Sequence, residues 1–405
     1  MAQLTIDNSD EYNLSAPRWA RVRAILNGEA RLKEIDLGHV NGTLTSNPLS
    51  VNSSVRFLRQ IDPQDTSDYN KRRNQEVIKG ARLYNATVKT CSGLLGMLYR
   101  KAPTRSEDVP AELEYIFDNV DGSGLTMDQQ SRGVAYDVAS IGRDGLLVDM
   151  PRSDGKQKSK ADVEGGYRAS IQEYKAESII DYHETIINNV KVLDLVVLRE
   201  PVEVYADAMR IKREIKNQYK VLRLNDDGYV TIQTFSDSND KEIKGLSQTD
   251  EVEMLGAKNQ KLTKIPFFFI GSKNNKPKID GLPLEPISDI NIGHYQESAN
   301  LASSSFRLGH PQPWVASNQY MNLAKEKAKS GLEVGLGDNT MVVVEQGGSF
   351  GFASAPENTL SRQSQQDFAE QMVALGAQLI TSGGGAETAE AARIKHASDV
   401  SDLQV

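Results

Sequence analysis

The 405-residue chain contains one cysteine, Cys91, and two tryptophans, and aromatics make up 6% of it. A single cysteine excludes an internal disulfide and any multi-cysteine metal site, and it points to a reducing compartment. Long apolar runs are missing too. The longest, Ile265–Ile270 (IPFFFI), is far short of the ~20 residues that a membrane-spanning helix needs. The opening residues, MAQLTIDNSDEYNLS, have neither a basic flank nor an apolar stretch, so no secretory signal is expected. Positive charge is in deficit: 47 Lys and Arg stand against 55 Asp and Glu, a net −8. That balance argues against holding nucleic acid by neutralising its phosphates. The 39% hydrophobic and 25% charged fractions are those of a folded chain rather than a disordered one, and the length suits two or three domains.

Hydrophobic periodicity divides the chain into three stretches. Residues 1–60 read as an irregular arm, with a short helix possible between Trp19 and Leu37 and interrupted at Asn27-Gly28. Apolar residues three or four apart predict one helix from Tyr69 to Arg100, ended by Ala102-Pro103, and another from Met127 to Ile141. From 143 to 271 the pattern turns to strands, at Gly145–Met150, Ser170–Tyr174, Val192–Glu200, Tyr219–Leu224, Tyr229–Phe235 and Ile265–Ile270. Asn225-Asp226-Asp227-Gly228 predicts a hairpin between two of these. From Pro286 to Gly309 the helical period returns, giving a rod of roughly 33 Å. Beyond the His310-Pro311 break lies a small insert with a Lys-rich helical piece, Met321–Lys329, and a Val run, Met341–Glu345. A second long helix is expected from about Thr359 to Ile380, then a Ser382-Gly383-Gly384-Gly385 loop and a further helix from about Glu387.

Motifs for chemistry are sparse. Gly347-Gly348-Ser349-Phe350-Gly351 has the spacing of a hydrolase nucleophile elbow, with Asp367 and His396 following in triad order. The elbow needs a helix directly after its serine, and here extended chain and Pro356 follow instead. A glycine turn between strands is the plainer reading, and a serine hydrolase built on Ser349 remains the alternative. No phosphate-binding loop is present, because Gly331–Gly337 lacks the lysine and Glu387 beside the triple glycine would repel an anion. His183-Glu184 begins a zinc motif whose second histidine is replaced by Ile187, and Asp118–Asp128 has Val120 where an EF-hand needs a ligand. The histidines at 39, 183, 294, 310 and 396 are scattered and read as structural or surface groups. No metal, cofactor or catalytic residue is expected. Lys325, Lys327 and Lys329 form a local basic cluster that reads as a solvated face or as contacts to DNA phosphate. Lys71, Arg72, Arg73, Lys79 and Arg82 are expected in ion pairs or subunit contacts, and Cys91 as a buried small side chain.

Several segments, in order, resemble tailed-bacteriophage portal proteins, in particular a portal-like family long classed as of unknown function. They are Asn85-Ala86-Thr87 with Gly93–Pro103, Asp118–Gly122, Gly142–Asp149, Val196–Glu200, Lys264–Phe267, Asp289–Tyr295, and Leu375-Gly376-Ala377 before Glu387-Thr388-Ala389. The order and spacing carry the resemblance, over about residues 69–400. It implies an α+β portal fold with a mixed α/β wing, two long stem helices, a small α/β clip, a tunnel loop and the start of a crown helix. The wing would occupy 1–285, with the arm at 1–60, a helical part at 69–141 and a β-rich part at 143–271. The first stem helix would run over 286–310, the clip over 311–357, the second stem helix over 358–380, the tunnel loop over 381–388, and a helix toward a short or missing crown over 389–405.

By the same resemblance Ser382, Gly383, Gly384 and Gly385 would face DNA, and Trp314, Phe350 and Phe352 would contact a connector or terminase. The subunits would form a homo-oligomeric ring, usually a dodecamer, at the capsid vertex of the virion, assembled in the host cytoplasm. Its partners would be double-stranded DNA in the channel, the major capsid protein, terminase, and adaptor or tail proteins, with no membrane span. The ring would be a non-enzymatic conduit for DNA packaging and ejection; another virion structural protein, such as an adaptor, is the alternative within that class. Twelve copies at −8 each would carry about −96, a wall that DNA slides past, screened beyond about 8–10 Å.

Overall fold

The computed structural model describes residues 6–37, 56–104, 108–150, 168–205, 209, 213–237, 246–256, 260–309, 312–329, 346–353 and 359–375. Helices and strands both contribute substantially, in keeping with an α+β chain. The contacts separate into two compact units, one formed by 1–57, 85–292 and 371–405, the other by 58–84 and 293–370.

The first unit opens with helices α1 (Asp10–Leu26) and α2 (Gly28–Asp36). The expectation of an irregular arm is therefore corrected. Ser9 caps α1 by accepting the Tyr12 N–H, and Trp19, Ile25 and Leu32 are fully buried. The apolar positions are interleaved with arginines and glutamates, which dilutes their period in the sequence. The break at Asn27-Gly28 is as read, with Gly28 at φ 85°.

The single helix expected over Tyr69–Arg100 is also corrected. It is two helices, α3 (Asp68–Gly80) in the second unit and α4 (Ala86–Leu98) in the first. Ala81 leaves α3 in an extended conformation (ψ 144°), and the Arg82 N–H donates to Ser298 Oγ at 2.8 Å rather than to a carbonyl one turn back. Asn85 then caps α4 by accepting the Val88 N–H. A short turn, α5 (Tyr115–Asp118), precedes α6 (Met127–Ile141). A reciprocal Thr126–Gln129 capping box starts α6, and Gly142 at φ 83° ends it.

Chain direction reverses at Gly142 into β1 (Arg143–Asp149), the centre of a three-stranded antiparallel sheet with β2 (Ser170–Lys175) and β9 (Phe267–Gly271) at its sides. A larger antiparallel sheet runs in order through β3 (Ile179–Ile187), β4 (Val190–Tyr205), β5 (Arg213–Leu224), β6 (Val230–Asp237) and β7 (Leu246–Gln248), and β8 (Val252–Glu253) also pairs with β6. Strand β3 has no counterpart in the sequence reading. Its hairpin to β4 turns on Asn188 and Asn189 at φ 49° and 64°, left-handed positions that asparagine tolerates. Pro201 lies in β4 beyond the last residue that β3 pairs with, Leu198, where one edge of the strand is free of β3. The hairpin expected at 225–228 joins β5 to β6, with Gly228 at φ 81° and the Asn225 side chain accepting the Tyr229 N–H.

The two sheets share one core. Leu147, Tyr174, Phe267 and Phe269 from the small sheet meet Ile179, Val196, Leu198, Leu222 and Val230 from the large one. Gly145 is what lets them close. A Cβ there would lie 2.3 Å from the Phe267 ring and 2.9 Å from Ile179 Cδ1. Cys91 is fully buried, and burial pushes its thiol up to about 12.

The second unit contains most of α7 (Glu285–Gly309) and of α9 (Leu360–Ala374). Gly293 faces Phe368, where a Cβ would meet the ring at 2.9 Å, while Leu301 and Ser305 line a cleft with Arg362 and Gln365. High numbers on one helix meet low numbers on the other, so the pair is antiparallel. Between them in sequence lie β10 (Gln312–Ala316), α8 (Asn318–Lys329) and β11 (Ser349–Ala353), with β10 and β11 paired antiparallel. The Met341–Glu345 run and the helix expected from Glu387 lie outside the described residues.

Replacing Gly145 with Ala is expected to cost about 1–3 kcal/mol, as overpacking does. A lowered melting temperature of the first unit, followed by near-ultraviolet circular dichroism, checks this.

Candidate functional site

The residues singled out in the sequence fall in three places. Trp314 in β10 pairs directly with Gly351 in β11, and its indole covers that glycine closely enough that a Cβ there would lie 2.9 Å away. Phe350 and Phe352 alternate with Gly351, so they occupy the opposite face of the ribbon, with ring centroids 5.2 Å apart. All three aromatics are exposed. The ribbon thus brings the two phenylalanines together and sets the tryptophan on the other side. Lys325 is exposed on α8, and Lys327 and Lys329 belong to the same helix. Ser382, Gly383, Gly384 and Gly385 lie outside the described residues, as do His39, His310 and His396. Ser349 begins a β-strand and is not followed by a helix, so the strained strand-to-helix turn of a nucleophile elbow is not formed there.

Of the basic residues in α3, Lys71 pairs with Asp68 at 3.0 Å and Lys79 with Glu76 at 2.8 Å, both exposed, and the Arg73 guanidinium lies 5.5 Å from the Tyr69 ring centre. His183 is exposed and lies 2.7 Å from Asp194 Oδ1, on a strand rather than on the helix that a zinc motif requires. Asp121 uses its carboxylate to accept the N–H groups of Ser123 and Leu125, an ordinary turn.

The most distinctive chemical grouping is one that sequence reasoning missed. On β1 and β2, Asp144 pairs in register with Lys175, and Leu146 with Glu173. Residues 144, 173 and 175 therefore share the sheet face opposite the apolar core. Helix α6 brings Asp137 to that face, and α1 brings Arg23. Oxygens of Asp137, Asp144 and Glu173 lie within 4.8 Å of one another, with both aspartates buried and Glu173 half-buried.

Arg23 donates to Asp137 Oδ1 and, through Nε, to Glu177 Oε1 at 2.7 Å. Burial works against the charge on Arg23, but the Glu177 and Asp137 carboxylates outweigh it and hold its pKa above the ordinary value. The Lys175 ammonium is 3.3 Å from Asp137 Oδ2 without hydrogen-bonding geometry. Asp144 Oδ1 accepts its neighbour's N–H, that of Gly145, at 2.6 Å, while Oδ2 has no hydrogen-bond partner. Burial, reinforced by the charges of Glu173 and Asp137, pushes the Asp144 carboxyl up to about 9. Burial and the same Asp137 raise Glu173.

On the opposite face of β1, Arg143 is 3% exposed and lies between rings, 4.9 Å from the Phe269 centroid and 5.4 Å from that of Tyr182. Its Nε and Nη1 have no hydrogen-bond partner, and burial lowers it to about 10. The clue to this region was Asp137 lying on the apolar face of α6 with Val134 and Ile141, and Asp144 standing just ahead of the apolar Leu146-Leu147-Val148 run.

Comparisons with known proteins add two findings. The family described as "Domain of unknown function (DUF4055)" matches residues 283–405. A solved structure, "Neck of empty GTA particle computed with C6 symmetry", contains a chain of 12% identity that aligns over 76% of this chain and 72% of its own, with a TM-score of 0.38. No curated protein matches.

Arg23→Met would leave Asp137 and Glu177 buried without their shared cation, and is expected to cost about 3–5 kcal/mol. Thermal melting of the variant beside the parent chain measures it.

Proposed function

We propose that this chain is a virion structural protein of a tailed phage or phage-like particle, and within that class a portal subunit. The observation that carries the reading is the order in the second half: the 25-residue helix α7, a small insert built on the β10–β11 ribbon and α8, then the antiparallel helix α9. This order matches the stem–clip–stem layout implied by the resemblance of residues 69–400 to portal proteins. In this reading copies of the chain close into a ring, with the clip ribbon turned to terminase during packaging and to adaptor or tail proteins afterwards.

A conduit must not grip its cargo, because tight phosphate neutralisation would stall a moving duplex. The net −8 of the chain suits that requirement, and the α8 lysines would supply weak, sliding contacts. Ser382–Gly385 would form the loop nearest the DNA, where glycine's wide backbone freedom lets it follow a helix whose symmetry differs from the ring's. No covalent chemistry is assigned to the chain. A hydrolase built on Ser349 is disfavoured by the strand on which that serine lies, and unchanged ester hydrolysis in Ser349→Ala would dispose of it.

Native mass spectrometry and electron microscopy of the purified chain test the proposal. The expected result is a closed ring with an axial channel. A stable monomer near 44.6 kDa at micromolar concentration overturns it, and an oligomer without an axial channel favours an adaptor role instead. Bulky replacements at Gly383–Gly385 are expected to impair DNA packaging or retention more than ring assembly, which counts of filled particles would reveal.

A further inference from the structure

We propose that Asp137, Asp144 and Glu173 bind one divalent cation of the hard, oxygen-preferring class, such as Ca²⁺, Mg²⁺ or Mn²⁺. The first observation is spacing. Oxygens on opposite sides of an ion that takes its ligands at about 2.3–2.6 Å are about 5 Å apart. The three carboxylates already supply oxygens within 4.8 Å of one another, so they can share an ion with little rearrangement.

The second observation is independent of the clustering. Asp144 is 0% exposed, and its Oδ2, the oxygen not held by Gly145, has no hydrogen-bond partner. Asp137, 1% exposed, has an Oδ2 that accepts no hydrogen bond and faces the Lys175 ammonium at 3.3 Å. A buried carboxylate oxygen is costly without a partner, and that of Asp144, within a cluster of three carboxylates, points to a missing positive group.

Charge counting agrees. The region holds four carboxylates, those of Asp137, Asp144, Glu173 and Glu177, against two cations, Arg23 and Lys175. With all four carboxyls ionised, as ligation requires, the excess of two negative charges equals one divalent ion. Glu177 is committed to Arg23, which leaves the other three carboxylates for a ligand. Lys175 is the group that would yield, since its side chain is 58% exposed and its ammonium can withdraw to solvent. The donor set is all oxygen, without histidine or thiolate, which suits hard cations rather than zinc or copper. The ion would tie α6 to the β1–β2 pair through side chains from all three elements. This inference does not depend on the portal reading, because it concerns one unit of a single chain.

The full chain is first stripped with a chelator. CaCl₂, MgCl₂ and MnCl₂ are then titrated separately by calorimetry, with melting temperatures recorded alongside and Mn²⁺ followed by electron paramagnetic resonance. One site per chain is expected for at least one of the three ions, with a rise in melting temperature. Asp144→Asn and, should that variant fold poorly, Glu173→Gln are expected to weaken the binding at least tenfold and to abolish the rise. No binding of any of the three ions at millimolar concentration overturns the proposal. So does a folded variant that binds as tightly as the parent chain, which would put the ion elsewhere. A parent chain indifferent to all three ions, beside an Asp144→Asn variant that melts higher, would show that a proton neutralises the cluster and would likewise overturn it.

Discussion

Strand β1 has to bury both of its faces, and much of the first unit follows from how it does so. On one face Gly145 and Leu147 lie against the rings of the shared core, with space for Phe267 only because residue 145 has no side chain. On the other face Asp144 is buried against acidic neighbours. A central strand covered on both sides normally reads as a continuous apolar run. Here one side is charged, and its stability depends on cations brought from elsewhere: Arg23 from α1 and Lys175 from β2. The N-terminal helices are therefore part of the electrostatic balance of the sheet as well as of its packing.

The second unit is organised by a different constraint, glycines that make room for a side chain of a neighbouring helix. Gly293 and Phe368 form a small-against-large contact between α7 and α9, and Gly80 of α3 approaches Ala302 in the same manner, with an added Cβ at 3.2 Å. Such contacts set how closely the helices pack without prescribing a chemistry, which fits a unit whose proposed role is mechanical. The β10–β11 ribbon has aromatics exposed on both faces, and the two faces are chemically distinct: paired phenylalanines on one, an indole over glycine on the other.

What was legible in the sequence was local. The hairpin at 225–228, helix α7, the extended chain after Ser349 and the β-rich middle all follow from periods and turn residues that act within a few positions. The Asn188-Asn189 turn is a weaker signal in the sequence, because neither residue is glycine. The apolar period of Tyr69–Arg100 continued through Ala81 and Tyr84, concealing a break where the Arg82 N–H bonds Ser298, more than two hundred positions away. The charged cluster was illegible for a similar reason: Arg23, Asp137, Asp144 and Glu173 are spread over 150 positions, and each alone resembles a surface residue.

By itself the sequence determined the α+β composition, the absence of an internal disulfide, the acidic balance, and the helix–insert–helix order on which the functional reading rests, because these depend on composition and short-range periodicity. Only the tertiary structure decided which polar residues are buried, where a seemingly continuous helix divides, and which carboxylates share one space. Burial and long-range pairing are properties of the whole packed unit. A carboxylate's cost and chemistry depend on what is brought against it, and that is not written in its neighbours along the chain.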